Sequence, residues 1–314
     1  MDPRRRPHHR AHRVRRRLCG HSGETRTGLR PGSERPVQIR PGPRRDPQVS
    51  QAGASPDQSS ELPGAVCPET HKRPLAVVAH RGASGTHPEN TAVAFAEAVR
   101  LGVESIELDV HRSADGGLLL IHDGTVDRTS DGSGRVAGLT TAEILALDAG
   151  SWFDATFSGE RFLVFEEALD LIPDAVRLNV HVKAYDHDRQ LVAPEVVDVL
   201  AAAGRLDNAF MAADEATLVC ARQREPSLEV CNLSVTPADD YVARSERIGC
   251  RILQPGHGMT TKALVDDAHA RGMEVNPFFA DETEEMLRLI GCGVDGILTN
   301  LPERLQQLLQ APTA

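Results

Sequence analysis

From residue 74 onward the chain alternates short β-rich runs with helical patterns, and this alternation constrains its fold more than any other feature. Strand-like runs fall at residues 75–79, 105–110, 177–182, 209–212, 228–233, 251–254, 274–279 and 296–299. Helical patterns lie between them, at residues 91–101, 194–203, 238–248, 261–271, 282–290 and 303–309. Asn90 or Thr91 can cap the first helix and Gly102 can end it. A parallel neighbour needs a crossover of about a dozen residues, which these helices supply, so the strands pair in parallel with helices outside. Eight such strands predict a TIM (β/α)8 barrel over residues 74–314.

One run breaks the alternation. Residues 118–122 follow the second strand after only an Asp115-Gly116-Gly117 turn, too short for a crossover, so an antiparallel hairpin is expected. Centring that turn between Asp115 and Gly116 sets His122 opposite Asp109. Residues 124–163, with the Gly- and Ser-rich stretch 130–134, then read as a small insertion after the second strand, laid over the barrel mouth.

Charge divides the chain. Residues 1–73 hold 16 Lys and Arg against 7 Asp and Glu, and the totals of 35 and 45 leave 19 basic and 38 acidic residues beyond them. The first segment is rich in Arg, Pro, Gly and Ser and lacks apolar periodicity, so it is expected to be a disordered basic tail. A nucleic-acid role would rest on that tail alone. The acidic remainder repels a phosphate polymer, so no nucleic-acid partner is expected. No apolar run approaches the ~18 residues of a membrane span, and no apolar segment of a secretory signal follows the Arg-rich start. The cysteines at 19, 67, 220, 231, 250 and 292 form no C-x-x-C pair, which fits reduced thiols and a cytoplasmic location.

The polar residues that call for explanation cluster at strand ends, where barrel enzymes assemble their sites. Strand one ends in His80-Arg81-Gly82, strand two carries Glu107-Leu108-Asp109, the hairpin return ends in His122-Asp123, and the next strand carries His181 and Lys183. Glu107 and Asp109, two apart, project to one face. Two carboxylates that close repel unless they hold a proton or a cation, and hard oxygen ligands suit Mg²⁺, Ca²⁺ or Mn²⁺. Arg81 can clamp a phosphoryl group and Lys183 can add a second positive donor. Imidazole titrates near neutrality, so His80 and His122 can serve as a general acid–base pair.

Together, His80-Arg81-Gly82-Ala83-Ser84, Pro88-Glu89-Asn90-Thr91, Glu107-Leu108-Asp109-Val110, His122-Asp123, Arg128-Thr129 and the late Gly293-Val294-Asp295-Gly296-Ile297-Leu298-Thr299-Asn300-Leu301-Pro302 run resemble the glycerophosphodiester phosphodiesterase family. The resemblance covers about residues 75–309. It implies a TIM barrel with a small insertion that hydrolyses glycerophosphodiesters to glycerol 3-phosphate and an alcohol with a divalent metal, Mg²⁺ or Ca²⁺. It further implies His80 and His122 as the acid–base pair, Glu107 and Asp109 as metal ligands and Arg81 as phosphate clamp. Glu89 is expected to orient Arg81, and Asp123 to orient His122.

Three departures stand out. Where the family reads Asn-Ile-Glu-Ile-Lys, with Glu as third metal ligand, this chain has Asn179-Val180-His181-Val182-Lys183. Glu107, Asp109 and His181 would then make a mixed nitrogen–oxygen site, which brings Mn²⁺ or Zn²⁺ into range. The same change admits the opposite reading, a catalytically impaired phosphodiester-binding protein. Phe162-Leu163-Val164-Phe165 and Asn276-Pro277-Phe278-Phe279 replace other family segments. Phe278 and Phe279 near the mouth keep a lysophospholipase D-type lipid substrate as an alternative.

Overall fold

The computed structural model describes residues 74–185 and 187–311; the tail expected at residues 1–73 lies outside them. Strands β1 (Ala76–His80), β2 (Ser105–Arg112), β3 (Leu118–Leu120), β4 (Arg177–Val182), β5 (Ala209–Ala213), β6 (Glu229–Ser234), β7 (Ile252–Pro255), β8 (Glu274–Val275) and β9 (Gly296–Thr299) form one sheet. Its order is β8-β7-β6-β5-β4-β2-β1-β9, every neighbouring pair is parallel, and β3 hangs antiparallel on β2. The α-helices are α1 (Ala92–Leu101), α2 (Thr141–Leu145), α3 (Phe165–Leu171), α4 (Arg189–Ala202), α5 (Glu215–Arg224), α6 (Tyr241–Arg247), α7 (Lys262–Ala270), α8 (Thr283–Cys292) and α9 (Pro302–Gln310).

The period of two along β2 explains the layering. Ile106, Leu108 and Val110 are fully buried in the main core with Phe95 of α1, Phe165 of α3 and Val196 of α4. The alternate residues Ser105, Glu107 and Asp109 therefore face the barrel axis. Fully burying one such aliphatic side chain contributes roughly 1.5–3 kcal/mol. A smaller core of Leu119, Ile121, Val126, Val136, Ile144, Ala149 and Phe162 fastens segment 124–163 to the hairpin. Among the described residues no helix is long and apolar enough to cross a membrane.

The ring closes through an irregular segment. The expected strand 274–279 is regular only at Glu274–Val275, because Pro277 has no N–H to give a ladder. Main-chain bonds still join it to β9: Asp295 N–H donates to the Val275 carbonyl (3.0 Å), Leu298 N–H to Pro277 (3.1 Å) and Ala280 N–H to Leu298 (3.0 Å). The barrel is thus nearly closed by eight parallel strands among the described residues.

Other local expectations shift. Thr91, not Asn90, is the N-cap of α1, accepting from Ala94 N–H, and Gly102 ends it with φ 72°. Helix α4 starts five residues before the expected position 194 and carries Pro194 inside it. Helix α6 is shorter than 238–248. Helix α5 is additional. Its apolar stripe is blurred because Val219 is exposed while Thr217 is buried, but Asp214 caps it by accepting from Ala216 and Thr217 N–H.

The hairpin register is corrected by one residue. Val110 pairs with Leu120 and Arg112 with Leu118, so the turn centres on Asp115 itself. Ser113 N–H donates to the Gly117 carbonyl and the Ser113 hydroxyl accepts from Gly117 N–H, which sets the longer loop. Ile121, whose N–H donates to the Asp109 carbonyl, stands opposite Asp109, and His122 lies one residue beyond. A one-residue slip exchanges the two faces of a strand.

Candidate active site

Register brings the acidic and imidazole groups together. Strand β1 pairs His80 with Glu107, and β4 pairs His181 with Asp109. Partners across a parallel ladder point the same way, so all four side chains gather at the carboxyl end of the barrel. Ligand atoms of Glu107, Asp109 and His181 lie within 4.8 Å of one another. His181 Nδ1 is 3.1 Å from Asp109 Oδ1 and 3.7 Å from Glu107 Oε1.

Asp109 is the electrostatic centre. Its side chain is fully buried, with Lys183 Nζ at 3.0 Å from Oδ1 and Arg81 Nε at 3.2 Å from Oδ2. Burial opposes its ionisation, but Lys183, His181 and Arg81 outweigh that and hold it well below the usual carboxylate range. Burial likewise works against charge on His181, and the pull of Asp109 and Glu107 raises its affinity for a proton above that of ordinary imidazole. Asn90 completes the support: its Nδ2 donates to Asp109 Oδ2 (3.0 Å) and its Oδ1 accepts from Asp109 N–H (3.3 Å).

The loop after β1 is strained in a way that serves this cluster. Arg81 and Asn90 adopt φ of 59° and 58°, a region costly for side chains with a Cβ. The reversal lets Arg81 N–H donate to Glu107 Oε2 at 2.9 Å and the Arg81 carbonyl accept from Asn90 N–H at 3.1 Å. Gly82 follows at φ 79°, where a Cβ would stand 2.7 Å from the Ala94 carbonyl carbon. Only glycine fits that contact.

A chain of ion pairs joins the two predicted catalytic histidines' neighbourhoods. Arg81 Nη1 donates to Glu89 Oε1 at 2.9 Å. Arg128 forks onto the same Glu89 (2.8 Å to each oxygen) and onto Asp123 (2.7 Å and 3.1 Å). Burial raises the Glu89 carboxyl, and the hydrogen bond from Arg128 with the charges of Arg81 and Arg128 brings it below its usual range. Asp123 Oδ1 lies 2.7 Å from His122 Nδ1. Burial lowers His122 below ordinary imidazole, with Lys183 and Arg81 adding to the effect against Asp109 and Asp123. His122 therefore sits half-buried beside the cluster, linked to it through Asp123, Arg128, Glu89 and Arg81.

His80, His122, Arg81, Lys183, Glu107, Asp109, His181, Glu89 and Asp123 thus occupy one region, and several of its members carried no expected role. His80 Nδ1 meets Asn300 Oδ1 at 2.7 Å, and its ring stacks on Phe279 at 5.0 Å. Asp281 holds Asn300, and Ser84 bonds it. Arg128 and Asn300 lie inside quoted motifs, but their partners are 39 and 220 residues away, so only the fold reveals the pairing. His80, Arg81, Glu89, Phe279, Asp281 and Asn300 line a cleft of about 240 Å³. A larger cavity of about 450 Å³ opens at the strand starts, beside Ser105, Arg177 and Glu274, and contains none of the predicted groups. The smaller cleft shares His80, Arg81 and Glu89 with the cluster.

His111 is a further unforeseen member. It is 4% exposed, and its Nε2 donates to the His122 carbonyl at 3.2 Å. Burial lowers its affinity for a proton to a pKa of about 4 from an ordinary 6.5. The unfolded chain takes up that proton first, so His111 contributes full stability above pH 6.5, lost as pH falls towards 4. Urea unfolding between pH 7 and 4.5 is expected to show a loss on the order of 3 kcal/mol more in the wild type than in His111→Gln. Equal slopes would remove His111 as the cause.

A family model described as the glycerophosphoryl diester phosphodiesterase family matches residues 80–304. The chain belongs to this family. It is accordingly an enzyme of the phosphoric diester hydrolase class. Among its relatives, a glycerophosphodiester phosphodiesterase of Caldanaerobacter subterraneus is 35% identical over 240 residues, covering 74% of this chain and 97% of that one. A glycerophosphodiester phosphodiesterase of Bacillus subtilis is 27% identical over 247 residues, covering 73% and 84%. A solved phosphodiesterase from Oleispira antarctica, in complex with the product sn-glycerol-3-phosphate, superposes with a TM-score of 0.72 at 27% identity, covering 76% and 97%. For this family member the cluster at the barrel's carboxyl end is the candidate active site.

Proposed function

We propose that the protein hydrolyses glycerophosphodiesters to glycerol 3-phosphate and an alcohol, with a divalent cation held by Glu107, Asp109 and His181. The convergence of those three side chains beneath Arg81 and Lys183 carries the reading. A cation suits the donor set. Asp109 Oδ1 is buried and accepts no aligned hydrogen bond, although Lys183 and His181 approach it. When bound, the cation supplies Lewis-acid stabilisation of charge on the phosphoryl oxygens.

The chain's own groups do the rest. Arg81 and Lys183 bind and orient the phosphoryl group. His80 and His122 both have Nδ1 engaged, by Asn300 and Asp123, which leaves each Nε2 for proton transfer. One ring takes the proton of the attacking glycerol 2-hydroxyl while the other gives a proton to the leaving alcohol. Water then opens the resulting cyclic phosphate to glycerol 3-phosphate, with the two proton roles reversed. The partner is a small glycerophosphodiester. Release of glycerol 3-phosphate from glycerophosphocholine and glycerophosphoethanolamine, after metal stripping and addition of Mg²⁺, Ca²⁺, Mn²⁺ or Zn²⁺, tests this. No turnover with any cation on either diester would sink it.

The imidazole at position 181 sets the choice of cation. A site of two carboxylates and one imidazole favours Mn²⁺ or Zn²⁺ over Mg²⁺ or Ca²⁺. His181→Glu is expected to weaken Zn²⁺ binding and strengthen Ca²⁺ binding, each by about tenfold, measured by calorimetric titration of the stripped protein. An unchanged order of affinities would remove His181 from the ligand set.

A further inference from the structure

We propose that Asp281, acting through Asn300, is a positioning residue that fixes which nitrogen of His80 carries the proton. The inference rests on the reading of His80 as an acid–base group. Asn300 lies one residue beyond β9, and Asp281 lies two residues before α8, across the closing segment of the barrel. Asp281 is held by three donors from that end: Oδ1 accepts from Thr299 Oγ1 (3.0 Å) and Asn300 N–H (2.8 Å), and Oδ2 accepts from Asn300 Nδ2 (2.7 Å).

That last bond decides the orientation of an otherwise symmetric amide. A carboxylate can only accept, so Asn300 must turn Nδ2 towards Asp281 and Oδ1 away from it. Oδ1 then meets His80 Nδ1 at 2.7 Å and also lies 2.8 Å from Ser84 Oγ. An amide oxygen cannot donate, so His80 Nδ1 must hold the hydrogen and Nε2 presents its lone pair. Nε2 is the nitrogen on the Glu107 side of the ring, 4.0 Å from Oε2. Phe279 stacks on the ring with an interplanar angle of 17°, so rotation cannot exchange the two nitrogens cheaply. The relay Asp281–Asn300–His80 delivers one tautomer in one orientation.

The relay makes a signed prediction. In Asp281→Asn two amides face each other, and Asn300 satisfies the new side chain best by flipping, which turns Nδ2 to His80 and forces the hydrogen to Nε2. By analogy with other misplaced tautomers, kcat on glycerophosphocholine is expected to fall about 100-fold with KM within about twofold. The exchange Asp281→Asn with Asn300→Asp restores every donor–acceptor pair and is expected to recover kcat to within about tenfold of wild type. Nitrogen-15 NMR of the His80 ring should show hydrogen on Nδ1 in the wild type and the double variant, and on Nε2 in Asp281→Asn.

A wild-type kcat and unchanged tautomer in folded Asp281→Asn would overturn the relay, as would a double variant no better than the single. If Asp281→Asn does not fold, Asn300→Ala reads the same loss of kcat while leaving the Thr299 hydroxyl and the residue 300 N–H on Asp281. Full turnover in His80→Ala would sink the acid–base reading and the relay with it. Inactive His80→Ala beside fully active Asp281→Asn would sink the relay alone.

Discussion

Glycerol 3-phosphate release is expected to drop by about 10²–10⁴-fold in His80→Ala and by a similar factor in His122→Ala, the range that general acid–base groups supply. The fall should appear in kcat, since neither ring is placed to bind the phosphoryl group as Arg81 and Lys183 are. Both variants should fold. His122 is held by one side-chain bond to Asp123, and His80 ends its strand rather than filling the core. Because the two rings act on opposite partners of one displacement, their effects should not add: the double variant should be little slower than the worse single one. Fully active single variants, with metal content unchanged, would show that proton transfer lies elsewhere.

A different kind of loss is expected at Asp109. Removing this buried carboxylate leaves Arg81, Lys183 and His181 with no central partner. Breaking one side of a buried charge cluster costs about 3–5 kcal/mol, far more than an exposed pair. Asp109→Ala is therefore expected to lower unfolding stability by that amount and to abolish divalent cation binding. Asp109→Asn keeps the shape but not the charge, so it should lose cation binding with the same direction of destabilisation. Denaturant titration and metal content measured together check both parts. A variant as stable as wild type in stripped buffer would mean that Arg81 and Lys183 need no central anion.

The residues behind these two predictions were legible in the sequence. Strand ends such as His80-Arg81 and Glu107-Leu108-Asp109 could be placed because a period of two and a barrel's polarity are both local rules. His181 reads as a third ligand only through the family resemblance, and the β2–β4 register is what sets it beside Asp109. Locality also explains the misses. The hairpin turn lies half a residue earlier than the spacing predicts, because Ser113 closes the loop with its side chain and no spacing rule carries that. Helix α5 hid behind an exposed Val219 and a buried Thr217. Asn300, Asp281 and Arg128 act through pairings made only when distant strands and the inserted segment meet. Asn90 looked like a cap and instead braces Asp109, since the left-handed turn before α1 points its amide inward.

The irregular closure between β8 and β9 has a consequence for how such an enzyme can diversify. Residues 275–280 meet β9 through main-chain N–H and carbonyl groups, so ring closure does not depend on which side chains stand there. Phe279, in the same stretch, forms one wall of the cleft and is 42% exposed. Substitutions in this stretch can therefore reshape that wall of the cleft while the strand bonds stay in place. The seam separates the inheritance of architecture from the inheritance of cleft shape, and lineages sharing the barrel are free to diverge in the side chains that line it.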